Sequence, residues 1–189
     1  MRNTITLICG LAFALLLSSP AFGQLTYVES TDGELSDVFG APDPLTFGVG
    51  VNTISGSIGG TGSGSNNGTD ADYFVFNLGA NETVTSIFTT RTGPTTQSFI
   101  GYFAGAAFTG QAAGDLTSNT LFSDNETLLP GGLLAGPLTQ GTHAFWLQET
   151  GGQADYSIAF TVESSAIPEP SSAIALMGLG MVGFVRRRR

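Results

Sequence analysis

Acidic side chains recur at two places in the first half of this sequence. Four lie between Glu29 and Asp37, and Asp70 and Asp72 come directly before the aromatic pair Tyr73-Phe74. Hard carboxylate oxygens are the ligands that calcium prefers in proteins, and two such loop segments can meet around one ion. The sequence therefore predicts a candidate calcium site. A second interpretation stays open, because an aspartate before a strand often caps a turn and acidic loops are usually solvated.

Side chains suited to catalysis are scarce. His143 is the sole histidine, and its alternation with Phe145 and Leu147 predicts a structural strand residue. The sequence contains no Gly-x-Ser-x-Gly, His-Glu-x-x-His or Gly-x-x-x-x-Gly-Lys motif. Two carboxylates could cleave a glycosidic bond, but nothing in the sequence sets their separation. Trp146 and Tyr102 could stack on sugar rings, although single aromatic residues in strands more often belong to a core. We predict no catalytic residues and no enzyme activity.

The charge of the chain excludes one class of partner. Between Gln24 and Ala166, fourteen acidic residues face the single base Arg91, and the sequence contains no lysine. Such a surface repels phosphate backbones, so we predict no nucleic-acid binding. Cys9 is the only cysteine and lies in the predicted leader, so disulfides and thiolate metal sites are excluded from the mature protein.

The candidate ligands require strands to position them. Apolar residues alternate with polar ones from Tyr156 to Val162 and from Phe74 to Leu78, as in half-buried antiparallel strands. We expect further strands, bounded by Gly and Asn turns, at Leu25–Glu29, Leu45–Val49, Thr53–Ile58, Val84–Phe88, Phe99–Phe103 and Thr142–Gln148. About eight short strands predict an all-β fold, an antiparallel two-sheet sandwich or jelly roll. Gly59–Gly68 is predicted to be a loop, and Gly105–Gly141 a long glycine-rich excursion.

The first residues have the layout of a secretory signal peptide. Arg2 precedes an apolar run from Ile5 to Leu17, and the small-residue pattern Ala21-Phe22-Gly23 follows. We expect export by the Sec machinery and cleavage after Gly23.

The last residues combine three elements: Pro168-Glu169-Pro170, an apolar stretch from Ala173 to Val185, and the basic residues Arg186, Arg187, Arg188 and Arg189. The prolines keep the backbone extended and open to a processing enzyme, and the arginines hold the far end in the cytoplasm. This order resembles the PEP-CTERM tail of exported bacterial proteins, which an exosortase recognises and cuts. The resemblance implies transient anchoring in the inner membrane by a short C-terminal transmembrane sorting helix, then delivery to the cell surface or release.

Several strand motifs resemble the bacterial pre-peptidase C-terminal domain. They are an acidic N-terminal segment, a turn before a strand and an Asp-x-Asp-Tyr-Phe motif, here Glu29 to Glu34, Val51-Asn52-Thr53-Ile54-Ser55-Gly56 and Asp70-Ala71-Asp72-Tyr73-Phe74. That family is an accessory β-sandwich, and some relatives bind calcium. The resemblance implies that four carboxylates lie near an ion: Glu29, Asp32, Asp70 and Asp72.

Together these features predict a signal peptide at 1–23, a β-sandwich domain at 24–166 and a sorting tail at 167–189. We expect a noncatalytic exported protein that exosortase sorts to the cell surface or extracellular matrix, in association with exopolysaccharide or biofilm. The alternative is a carbohydrate-binding or adhesive module with a specific ligand, with calcium as a candidate requirement. No cofactor other than calcium is indicated.

Overall fold

Alternating apolar residues build ten strands in the part of the chain that the structure describes, residues 23–59, 70–93, 98–149 and 152–165 of a computed structural model. The first sheet contains, in spatial order, β1 (Thr26–Val28), β3 (Gly50–Gly59), β10 (Gln153–Ser164), β5 (Glu82–Thr92) and β8 (Glu126–Leu129). The second contains β2 (Asp43–Pro44), β4 (Ala71–Leu78), β9 (Gly141–Gln148), β6 (Ser98–Phe103) and β7 (Ser118–Phe122). A single helical turn, α1 (Glu29–Asp32), follows β1, and a short 3-10 helix spans Ala113–Asp115.

The predicted all-β sandwich of two sheets is confirmed, with two corrections to its strands. The sheets are mixed and not wholly antiparallel, because β1 pairs in parallel with β3 and β2 pairs in parallel with β4. The segment that joins β1 to β3 is long enough for the crossover that a parallel pair requires. The strands also number ten among the described residues, against the eight expected.

The strand boundaries differ from the prediction in two regions. Leu45–Val49 is not a strand, since β2 occupies Asp43–Pro44. Phe47 is instead buried in the core, where its ring stacks on Phe76 with centroids 4.0 Å apart. The excursion predicted at Gly105–Gly141 contains two strands, β7 in the second sheet and β8 in the first, so the chain passes from one sheet to the other in this segment.

The main core lies between the two sheets and is rich in phenylalanine. Phe74 and Phe145 are neighbours on β4 and β9, and their rings stack with centroids 5.6 Å apart. The ring of Phe160, on β10 of the first sheet, packs edge-on against the rings of Phe74 and Phe145. All three side chains are fully buried and lie on the inner faces of the two sheets.

The outer face of the second sheet has a smaller core of its own. Tyr73 and Trp146 project outward from β4 and β9, with ring centroids 5.5 Å apart, and Phe108 from the segment after β6 packs against both. Trp146 is 6% exposed. Tyr102 is also buried, in the main core. Neither ring is available to stack on a sugar, which corrects the role considered for them from the sequence.

The two chain ends of the described domain lie at one end of the first sheet. Thr26 of β1 pairs with Thr53, and Val162 of β10 pairs with Gly50, both near the start of β3. The buried Asn52 side chain holds this region, because its Oδ1 accepts the backbone N–H of Leu25 at 2.9 Å. At the other end of β3, Ser57 pairs with Asp155.

Three predicted segments lie outside the described residues. They are the signal peptide up to residue 22, the loop at Gly59–Gly68 except for Gly59, and the sorting tail with its transmembrane helix. The division at residues 23 and 166 stays a prediction. Within the described ranges, no helix is long and apolar enough to cross a membrane.

Candidate metal centre

Three carboxylates meet at the end of the sandwich that is opposite the chain ends. One oxygen from each of Glu29, Glu34 and Asp72 lies within 4.8 Å of the others. Asp70 adjoins this group through an interaction between its side chain and Glu34. We name these four residues the acidic corner.

The strand period of β4 places Asp72 in the corner. Phe74, Phe76 and Leu78 face the main core, and Asp72 is in phase with them, so its side chain also points between the sheets. Asp72 is fully buried. A carboxylate at this position therefore lies where the hydrophobic pattern calls for an apolar side chain.

Parallel pairing of β1 with β3 places Glu29 beside the same site. Val28 pairs with Ser55, so the next residue lies against Gly56, and Glu29 Oε2 accepts the backbone N–H of Ser57 at 2.8 Å. A Cβ atom on residue 56 would overlap the Glu29 carboxylate. A glycine is thus required at position 56 for Glu29 to pack there.

Three buried oxygens of the acidic corner lack hydrogen-bond donors. Among the described residues, both Asp72 oxygens and Glu29 Oε1 are buried without a hydrogen bond, and the Tyr156 hydroxyl beside them is in the same condition. The Tyr156 hydroxyl is near enough to Asp72 to act against the rise in the pKa of that carboxyl, but it does not reach hydrogen-bond geometry. Because unpaired buried polar atoms are costly, this arrangement calls for a further partner.

Burial and mutual repulsion raise the pKa values of these carboxyls. Burial is the largest cause for Asp72, whose pKa is raised strongly, and the charge of Glu29 raises it further. Burial also raises the pKa of Glu29, and it raises the pKa of Asp70 to about 7, with Glu34 adding to the shift. The corner therefore retains protons near neutral pH unless a cation compensates the negative charges.

The residues of the acidic corner fit a calcium ion. Calcium binds carboxylate oxygens at about 2.3–2.6 Å, so oxygens that share an ion lie within about 5 Å of one another. The three clustered oxygens satisfy this condition. A donor set of oxygen atoms alone also matches a hard cation better than zinc, which favours nitrogen and sulfur ligands.

The structure brings together part of the ligand set that the sequence suggested. Glu29 and Asp72 lie in the cluster, and Asp70 lies beside it. Asp32 is exposed, and its Oδ2 accepts the backbone N–H of Val28 at 2.7 Å, so it serves as a local turn residue outside the cluster. Glu34 was absent from the suggested set. The turn at Gly33, with φ of 111°, redirects the chain before Glu34, and the pair Asp32-Gly33 was the local signal of that turn.

His143 occupies a structural position. Its Nδ1 accepts the Tyr102 hydroxyl at 2.9 Å, and its Nε2 donates to the Thr139 carbonyl at 2.8 Å. Burial lowers the pKa of the imidazole, so the ring is neutral at pH 7.

Comparison with known proteins bears mainly on the C-terminal residues. Residues 166–189 match the PEP-CTERM protein-sorting motif. This motif indicates an exported protein that an exosortase sorts, with transient membrane anchoring before it reaches the cell surface. The resemblance of the tail to a PEP-CTERM signal, noted from Pro168-Glu169-Pro170 and the four arginines, is confirmed.

Among solved structures, the chain is similar to the pre-peptidase C-terminal domain of a collagenase from Bacillus anthracis, at 12% sequence identity and a TM-score of 0.32. That similarity covers 64% of this chain and 93% of the bacillary domain. The strand motifs of the sequence resemble the same domain family. No curated protein matches the sequence.

Proposed function

We propose that this chain is a noncatalytic protein of the cell surface or extracellular matrix, where it associates with exopolysaccharide. The Sec machinery exports it, and exosortase then acts at the PEP-CTERM motif. Support comes from the matched tail at residues 166–189, together with the secretory pattern at residues 1–23. The His143 ring is buried, and both of its nitrogens are hydrogen-bonded within the fold, which further supports a noncatalytic role.

In this proposal, calcium occupies the acidic corner and stabilises the domain outside the cell. The observation that carries this part is the fully buried Asp72 carboxylate, which has no hydrogen-bond donor and lies beside Glu29 and Glu34. The domain has no disulfide to replace such a cross-link, since Cys9 is the only cysteine. A bound ion would join β4 to the segment after β1, and binding to the folded state alone stabilises it.

A depression of about 430 Å³ opens above the acidic corner and favours the second candidate, a calcium-dependent adhesive module. Glu29 and Glu34 line it together with Ser30, Ser57 and Asp155. Calcium takes six to eight oxygen ligands, so a ligand in this depression could supply those that the protein does not. Binding of a glycan that is abolished by chelation and restored by calcium, without a change in folding, would favour this candidate.

The sorting proposal is tested by producing the chain in a host with and without an exosortase. We expect a membrane-associated form without the enzyme, and a released form of lower mass with it. Glu169→Gln should impair processing, whereas Glu163→Gln, an exposed carboxyl just before the motif, should not. An identical mass in both hosts would contradict the proposal.

Calcium binding is tested by calorimetric titration of the exported protein. We expect heat with calcium, little with magnesium and none for the Asp72→Asn variant. A titration of the unaltered protein that gives neither heat nor a thermal shift would remove calcium from the proposal.

A further inference from the structure

Among the residues that the structure describes, no second cluster covers the outer face of the first sheet, whereas the outer face of the second sheet is covered by Phe108 and its neighbours. Three adjacent strands, β3, β10 and β5, present their outward side chains on this open face. In one row across the strands, Ser55, Ser157 and Thr90 lie side by side, and Ser55 Oγ donates to Ser157 Oγ at 2.9 Å. We name the outward side chains of these three strands the hydroxyl face.

The next row contains the one aromatic side chain of this face. Thr53, Ala159 and Phe88 are register partners on the three strands. Phe88 is 40% exposed beside the small Ala159, although a phenylalanine in a monomeric domain is usually buried. An exposed ring thus lies in the middle of a surface of small polar side chains.

The rows on either side continue the same composition. Their members are mostly serine and threonine: Ser57, Asp155 and Thr92 in one row, and Val51, Thr161 and Ser86 in the other. Asp155 carries the only formal charge among these twelve positions. The basic residue of β5, Arg91, is 2% exposed, and its side chain points inward. A shallow depression of about 280 Å³ runs over the hydroxyl face between Ser55, Thr90 and Asp155.

We propose that the hydroxyl face binds a neutral polysaccharide chain. Serine and threonine hydroxyls both donate and accept hydrogen bonds, as sugar hydroxyls do, and Phe88 offers an apolar ring for a sugar face. The charge pattern fits a neutral polymer, because the face has no exposed cation for an anionic chain, and the surrounding domain is strongly acidic. The proposal rests on the exopolysaccharide association proposed above and names the surface and the glycan class.

The test is affinity electrophoresis of the exported protein in gels that contain one soluble polysaccharide each: a neutral glucan, mannan, galactan or xylan, and alginate as the anionic comparison. We expect at least one neutral polymer to retard the protein and alginate not to. Phe88→Ala should weaken that association by roughly three- to tenfold, the effect of one aromatic contact. Leu121→Ala is the matched control, because Leu121 is 51% exposed on β7 of the other sheet and should not matter. Thr90→Glu should abolish retardation.

Three results would overturn the proposal: no retardation by any neutral polymer, retardation by alginate alone, or equal weakening by Phe88→Ala and Leu121→Ala. Sedimentation provides a further check, since a dimer that Thr90→Glu dissociates would assign the face to a second copy of the chain. Thermal unfolding of each variant verifies that these surface changes leave the fold intact. Because the assay starts from exported protein, its failure leaves the exosortase result unchanged, and failed exosortase processing leaves the binding measurement valid.

Discussion

Arg91 and Glu149 form a buried ion pair that joins the two sheets. Arg91 Nη2 lies 2.9 Å from Glu149 Oε2, and both side chains are almost completely buried. Ser98 Oγ donates to the same carboxylate oxygen at 2.7 Å. The one base of the exported domain is therefore engaged by Glu149 and contributes no charge to the surface.

Removal of one partner of this pair should strongly destabilise the domain. We expect Glu149→Gln to lower the free energy of unfolding by about 3–5 kcal/mol, because it removes the buried counter-charge of the Arg91 guanidinium and leaves the exposed Asp124 carboxylate, 3.6 Å from Nη1, as its ion-pair partner. Urea denaturation measures the effect. The double variant Arg91→Met/Glu149→Leu should lose less unfolding free energy than the sum of the losses in Arg91→Met and Glu149→Leu measured separately. Strict additivity of the two losses would show that the two groups are not coupled.

The stability of the calcium-free domain should fall as the pH rises. The carboxyls of Glu29, Asp70 and Asp72 have raised pKa values in the fold, so their contribution is fully present below their unfolded values, about 3.8–4.5. It is lost as the pH rises through the folded values, which is near pH 7 for Asp70. Thermal unfolding in a chelator should therefore show a decreasing midpoint from pH 5 to pH 9.

Calcium should reduce or reverse that decrease, because its ligands must be deprotonated and its affinity rises with pH. Asp72→Asn should flatten the pH dependence and remove the effect of calcium. Asp115→Asn, a change of a half-buried carboxyl in the 3-10 helix outside the acidic corner, should do neither. A calcium-free midpoint that does not change with pH would refute the assignment of raised pKa values to this corner.

Gly56→Ala should damage the acidic corner from the first sheet. The added methyl group overlaps the Glu29 carboxylate, which must move away from Ser57 and from the cluster. We expect a loss of about 1–3 kcal/mol in unfolding free energy, typical of overpacking, and weaker calcium binding by calorimetry. Gly114→Ala is the control, because a Cβ there meets no atom within 4 Å. Equal calcium affinity in both variants would show that Glu29 does not contribute to calcium binding.

Trp146→Ala should destabilise the fold and should not report on a ligand. The indole is buried between Tyr73 and Phe99, so its removal should cost about 3–5 kcal/mol. Chemical denaturation compares this variant with Phe88→Ala, whose ring is partly exposed and should cost far less. A Trp146→Ala protein of unchanged stability would contradict the packing of the outer aromatic cluster.

The elements with strict two-residue alternation were predictable from the sequence. Tyr156 to Val162 and Phe74 to Leu78 form strands whose apolar residues face the core as expected. β7 and β8 were not predicted, because their short spans lie between glycine-rich segments and carry little alternation. Phe47 shows the converse error: it is apolar and buried, but it fills the core from a segment without strand pairing.

The acidic corner was only partly predictable for a related reason. Asp72 was suggested from the sequence by the Asp-x-Asp-Tyr-Phe motif, directly before the alternation that begins at Phe74. Glu34 joins the cluster through the turn at Gly33 and through the parallel pairing of β1 with β3. That pairing joins residues far apart in sequence, and no local pattern specifies it.

The position of the chain ends gives the domain a direction. The PEP-CTERM tail follows directly after β10, which ends near Gly50, while Glu29 meets β3 near Ser57, about 23 Å further along the strand at the rise typical of β-structure. Within the described domain, the end of β10 and the acidic corner therefore lie at opposite ends of β3. If calcium occupies the acidic corner as proposed, cleavage after β10 would leave every proposed ligand on the released domain, because all four lie between residues 29 and 72.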